Sequence, residues 1–168
     1  MHYTPAELIH LYQLKPHPEG GYYNETYRSS ETFSGKALPQ RFTGDRYFST
    51  AIYFLLVQGN FSVFHRIKSD ECWHFYAGQT LNIYIISADS SLQIVRLGNN
   101  IRKGEVFQFV VPANAWFASA PDKNSIYSFV GCTVSPGFDF TDFEIADRSE
   151  LIKLFPQHKD LVTQLTRK

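Results

Sequence analysis

Short stretches in which apolar and polar residues alternate recur through most of this chain, and each ends at a cluster of turn formers. Residues 22–29, 49–57, 61–67, 71–76, 81–87, 92–97, 106–111, 115–120 and 127–134 carry the pattern. Gly59-Asn60, Gly78, Asp89-Ser90-Ser91, Gly98-Asn99-Asn100 and Asp122-Lys123-Asn124 punctuate it. A period of two places successive side chains on opposite faces of a strand. Many short strands at such intervals predict an all-β sandwich or barrel rather than a βαβ fold. Residues 49–57 are apolar on both faces, with Ala51, Tyr53, Leu55 and Val57 on one and Ile52, Phe54 and Leu56 on the other. A strand buried on both sides suits a central position or a subunit interface.

The two ends follow a helical period. Thr4-Pro5-Ala6-Glu7 reads as a helix start, with Thr4 as cap, Pro5 in the first helical position and Glu7 closing a capping box. Leu8, Leu11 and Tyr12 then share one face. The helix stops near Leu14, because the following Pro16-His17-Pro18-Glu19-Gly20-Gly21 does not continue it. Asp147-Arg148-Ser149-Glu150 offers a second capping box before Leu151, Ile152, Leu154 and Phe155, and residues 159–165 add another turn or two after Pro156. Residues 31–44 are polar with Gly and Pro, and predict a long surface loop that covers a site or a neighbour. No linker or internal repeat is visible, so residues 1–168 are expected to form a single domain.

Composition sharpens this picture in a few respects. A length of 168 residues is enough to bury a full core without cross-links. Aromatic residues make up 16% of the chain and favour pleated surfaces. The 16 basic and 16 acidic side chains balance, so nucleic acid and anionic lipid are not expected partners. No apolar run approaches the ~18 residues of a membrane span, and no basic region followed by an apolar stretch marks the N-terminus. A cytoplasmic protein without a membrane partner is therefore expected. Cys72 and Cys132 lack metal-type spacing and are expected to be two buried thiols. The chain shows no phosphate loop, nucleophile elbow or C-x-x-C pair.

The sharpest motif runs from Gly59 to Gly78. It fits the first cupin motif, G-x5-H-x-H-x3-4-E-x6-G, through Gly59, His65, Glu71 and Gly78, with Ile67 where the second His belongs. The second motif, G-x5-P-x-G-x2-H-x3-N, is matched more loosely. Seven residues separate Gly104 from Pro112, while Asn114, Phe117 and Pro121 replace its later Gly, His and Asn. The chain also carries Pro16-His17-Pro18-Glu19-Gly20-Gly21-Tyr22-Tyr23, Phe64-His65-Arg66 and Glu71-Cys72-Trp73-His74-Phe75. Val111-Pro112, Trp116-Phe117 and Thr133-Val134-Ser135-Pro136-Gly137-Phe138 complete a set in which it resembles the Cupin_5 type of the cupin superfamily from first helix to last. The resemblance implies an RmlC-like jelly-roll barrel, a double-stranded β-helix with short N-terminal and C-terminal helices, usually homodimeric. It implies no activity, because fold alone does not set function.

A cupin metal site gathers three His and one Glu, and divalent metals hold best with three or four such ligands. Here His65 and Glu71 remain, while Ile67 and Phe117 stand at the other two positions. A metal such as zinc is thus expected only if His74 completes a His65–Glu71–His74 site. Strand parity turns His74 away from Glu71 unless a bulge intervenes. Without a metal, His65 and Glu71 form a candidate acid/base pair, with Glu71 fixing the imidazole tautomer. The plainer reading is a buried hydrogen-bonded pair with no catalytic role. Gln108, Trp73 and Trp116 are candidate ligand contacts, against an outward amide and ordinary core packing. Arg66 is expected on the surface by alternation, and His17 in a loop. The leading expectation is a protein that binds a small polar or sugar-like molecule. The alternatives are a sugar or nucleotide-sugar isomerase or epimerase with His65 as general base, a metal protein with a non-standard site, and a structural or regulatory dimer with a vestigial pocket.

Overall fold

The N-terminal capping box forms as the sequence predicts. The Thr4 hydroxyl accepts from the Glu7 amide at 3.2 Å, and the Glu7 carboxylate accepts from the Thr4 amide at 2.7 Å. These bonds satisfy donors that the first turn leaves unpaired. They start helix α1 (Pro5–Leu11) in a computed structural model that describes residues 3–167. Of the predicted apolar face, Leu8 is buried and Leu11 points to solvent, while Tyr12 lays its ring against Tyr53 and Phe129.

The strands, in chain order, are β1 (Lys15–Pro16), β2 (Tyr22–Arg28), β3 (Thr32–Phe33), β4 (Arg46–Tyr47), β5 (Thr50–Val57), β6 (Ser62–Arg66) and β7 (Asp70–Gly78). They continue with β8 (Leu81–Ile86), β9 (Leu92–Leu97), β10 (Gln108–Val111), β11 (Trp116–Pro121), β12 (Tyr127–Ser135) and β13 (Glu144–Ile145). One sheet has the order β1-β2-β5-β12-β7-β10 and the other β13-β6-β11-β8-β9, with antiparallel pairing throughout the named strands. The two sheets close on a shared interior of Phe54, Leu56, Trp73, Ile83, Leu97 and Phe117, among others. This is the all-β architecture that the alternation predicts, in the jelly-roll form that the resemblance implies.

Both faces of β5 are buried because the strand lies centrally, between β2 and β12. Its inner Phe54 and Leu56 join the interior, while its outer Leu55 packs with Leu8 of α1, Tyr127 and Phe129. The second sheet is covered from outside by α2 (Arg148–Leu154) and α3 (Lys159–Gln164), whose Leu151 and Val162 meet Phe64, Ile86 and Trp116. Fully burying side chains of this size contributes about 1.5–3 kcal/mol each. The second capping box forms by half. Asp147 accepts from the Glu150 amide at 2.9 Å, but the Glu150 carboxylate turns outward to Lys153.

Residues 31–44 are not a plain loop over the site. They hold β3, which pairs with β4, and a short 3-10 turn at Gly35–Ala37, and none of them lines the cavity that holds His65 and Glu71. What closes that cavity is the segment after β12. Asp142 anchors it through a buried two-pronged pair with Arg46 of β4, Nε at 2.6 Å and Nη2 at 2.7 Å. Removing one member of such a pair leaves an uncompensated buried charge. Asp142→Ala is expected to lower stability by about 3–5 kcal/mol in urea unfolding. A loss below about 1 kcal/mol would show that Arg46 finds water or another partner instead.

Candidate functional site

The interior polar site is built by three local features. On β6, parity sends Phe64 outward under the C-terminal helices and His65 inward, where its ring lies 4.1 Å from Phe117 between centroids. On β7, the same parity turns Glu71 and Trp73 inward and Cys72 and His74 outward. The third feature is the turn between β1 and β2. Its hydrogen bonds, His17 N–H to Gly21 C=O and Gly20 N–H to His17 C=O, are both 3.0 Å long. Gly20 and Gly21 have φ of +118° and +73°, and a Cβ on Gly20 would sit 2.1 Å from the Phe61 carbonyl oxygen. Only glycine meets both conditions. The turn therefore packs flat against β5 and β6, and Glu19 drops into the barrel, with its backbone carbonyl accepting from Val63 N–H at 2.9 Å.

His17, Glu19, His65 and Glu71 consequently line one cavity of about 190 Å³. Its other walls include Ile52, Ile67, Cys132 and Val134, with Phe138, Phe140 and Phe143 from the segment that Asp142 anchors. His65 Nδ1 lies 2.7 Å from the Val63 carbonyl, which can only accept, so Nδ1 carries a proton. The other ring nitrogen, Nε2, faces Glu19 Oε2 at 3.2 Å. Glu19 Oε2 also lies 3.5 Å from His17 Nδ1.

The expected direct pair of His65 with Glu71 is replaced by His65 with Glu19. Glu71 acts on the imidazole from further away, through its charge. The Cys132 thiol and the Trp73 indole N–H lie beside the Glu71 carboxyl and favour its ionised form, although the indole N–H reaches no acceptor with good geometry.

Burial dominates the acid/base character of all four groups. It pushes the Glu71 carboxyl up to about 7, with the nearby Glu19 charge acting in the same direction and His65 opposing. Burial also raises Glu19 and lowers His65 and His17. Desolvation penalises whichever form is charged, so the carboxyls rise and the imidazoles fall, each towards the other. This arrangement can accept a proton from a bound molecule at one group and return it from another.

The other sequence candidates lie elsewhere. The structure does not bring His74 to His65 and Glu71. The irregularity in β7 pairing falls beyond His74, opposite Phe129 and Val130, and so does not re-aim it. His74 sits on the outer face, accepting from Gln108 Nε2 at 2.9 Å and donating to Thr133 Oγ1 at 3.1 Å. That contact places Gln108 outside as well. Trp116 also faces outward, beneath the helices, with the Arg66 guanidinium 4.5 Å above its ring. Arg66 pairs with Glu144 at the surface, as alternation predicts. Trp73 points inward but is core, edge-on to Phe54 and Phe117.

The residues suit a resident metal poorly. Ile67 and Phe117 put hydrocarbon at two ligand positions, and both His65 nitrogens are already directed at protein oxygens. Among the described residues, no group of three His, Cys, Asp or Glu has the geometry to hold an ion.

Sequence reasoning missed Glu19 and placed His17 in an ordinary loop. Turn residues have no periodicity from which to read direction, and the usable signal was the pair Gly20-Gly21, which forces a close approach of backbone.

The Cupin_5 family profile, described as Cupin superfamily (DUF985), matches residues 6–146. The chain belongs to the Cupin_5 family. An uncharacterised protein of Saccharomyces cerevisiae is 31% identical over 145 residues, covering 81% of this chain and 72% of its own. A Shewanella oneidensis protein of known crystal structure is 40% identical, with a TM-score of 0.89 over 99% of both chains. A hypothetical protein from Leishmania major is 35% identical, with a TM-score of 0.89 over 99% of this chain and 100% of its own. Bacillus subtilis oxalate decarboxylase shares the fold alone, at 13% identity and a TM-score of 0.55 over 91% of this chain and 37% of its own. No helix among the described residues is long and apolar enough to cross a membrane.

The Glu71 carboxyl gives a direct pH test. An unfolded glutamate loses its proton near 4.5, whereas the folded Glu71 keeps it to about 7. The stabilisation from this group is therefore complete below about 4.5 and is lost as pH rises through about 7. Glu71→Gln removes the dependence. Urea unfolding should show the variant gaining on wild type as pH rises across that window. A constant difference would mean that Glu71 is ionised throughout.

Proposed function

We propose that this cupin binds a small polar or sugar-like molecule in its barrel, at the cluster of His17, Glu19, His65 and Glu71. The observation that supports this reading is the gathering of two carboxyl groups and two imidazoles in one cavity, beside the hydrocarbon of Ile52, Ile67, Val134, Phe138, Phe140 and Phe143. Interior polar groups gathered at an apolar pocket fix the orientation of a small ligand. At about 190 Å³ the space is smaller than the ~300–1,000 Å³ of most ligand pockets. A nucleotide-sugar would exceed it, and at most its sugar end would enter.

The approach of the carboxyl and imidazole acidities favours a second reading, an isomerase or epimerase with His65 as general base. In it, the ligand takes the place of Glu19 at Nε2, whose lone pair then takes a proton from carbon or oxygen of the ligand, with Glu19 and Glu71 as the acids that return one. The metal reading has less support, for the reasons of ligand chemistry given above. A homodimer is the setting that the family resemblance suggests.

Thermal unfolding against a panel of monosaccharides and small hydroxy acids tests the proposal. A ligand at 100 times its Kd stabilises the folded state by about 2.7 kcal/mol, an effect that His65→Ala and Glu71→Gln should abolish. Stabilisation that survives both substitutions would place the site elsewhere. A bound ligand that also exchanges a C–H with deuterium in wild type, but not in His65→Ala, would favour the second reading.

A further inference from the structure

The rim of the cavity carries an imbalance that the interior does not explain. Three charged side chains, Lys15, Glu25 and Arg28, stand around it. Glu25 and Arg28 neutralise each other through a two-pronged pair, with Arg28 Nε 2.8 Å from Glu25 Oε1. They face the same side of β2 only because the pairing with β5 slips between Glu25 and Tyr27. An extra residue at such a bulge turns two side chains three positions apart onto one face.

Lys15 has no such counterpart. It is the cross-strand partner of Tyr23, and its ammonium stands 5.1 Å from the centre of that ring. Among the described residues no carboxylate lies within ion-pair distance of it. The rim thus keeps one positive charge, held in place over an aromatic wall and free to meet an anion.

We infer that the molecule bound in this pocket is a small carboxylic acid, its carboxylate held at the rim by Lys15 and its uncharged hydroxyl or carbonyl end reaching Glu19 and His65. The inference rests on the binding reading above and narrows it. The orientation follows from electrostatics. Two carboxyl groups deep in the cavity disfavour a second anion beside them, so the ligand's charge stays outside. The same cavity is also lined by Ile52, Val134, Phe138 and Phe140, which suit a short hydrocarbon spacer better than a ring of hydroxyls. A cation would be opposed at the entrance by Lys15, and a neutral sugar would leave that charge unused.

The test compares 4-hydroxybutyrate, 4-hydroxybutyramide and D-xylose in ligand-observed NMR titrations at low salt. The acid and its amide differ in charge and little else. One ion pair at a wet rim corresponds to about fivefold in affinity, so the acid should bind about fivefold more tightly than the amide. Lys15→Met, which keeps the aliphatic stem over Tyr23, should erase that difference. Lys15→Arg should preserve it. Equal binding of acid and amide, a difference that persists in Lys15→Met, or no binding of the acid would overturn the inference. D-xylose binding that needs His65 and Glu71, without acid binding, would reject the carboxylic acid and leave the binding reading standing. Absence of binding by all three probes would count against both.

Discussion

Two carboxyl groups and two imidazoles are taken out of water together, and the barrel is organised around that constraint. An isolated buried charge costs several kcal/mol after relaxation, so groups placed this way neutralise or share protons. The arrangement allows sharing. His65 commits one ring proton to the Val63 carbonyl and turns its free nitrogen to Glu19, while Glu71 keeps its proton to about 7. A glycine turn presses Glu19 into place, and an aromatic segment tied down by Arg46 and Asp142 closes the cavity.

The same constraint accounts for the residues that depart from the usual cupin metal set. An ion would need the His65 nitrogen that faces Glu19, and further nitrogen ligands where Ile67 and Phe117 stand. Hydrocarbon there lowers the local dielectric and strengthens the coupling among the acids and bases that remain. The site has packing where a metal set would have ligands, and the interior acids and bases depend on that packing to keep water out.

Much of this was legible in the sequence, for identifiable reasons. Period-two alternation gave the strands, the cupin motif put His65 and Glu71 inside, and parity then turned His74 outside, with no irregularity early enough in β7 to reverse it. The two-sided apolar run of β5 suited a central strand or a subunit interface, and the strand lies centrally. Gln108 and Trp116 lay beyond such reasoning because their strands offered no independent marker of which face was inner. Glu19 was harder still. Its position comes from a tertiary fit, a turn without side-chain bulk lodged against the Phe61 and Leu55 carbonyls, and local pattern holds no record of that. The half-formed capping box at Asp147 shows the same limit, since Lys153 competes for the carboxylate that would have closed it.

Nitrogen-15 chemical shifts of the His65 ring, followed with pH in histidine-labelled protein, test the shared-proton cluster most directly. The account predicts a neutral ring, protonated at Nδ1, that remains so at pH 6.5, where an ordinary histidine is half charged. A ring that titrates at or above 6.5, or one protonated at Nε2 alone, would contradict it.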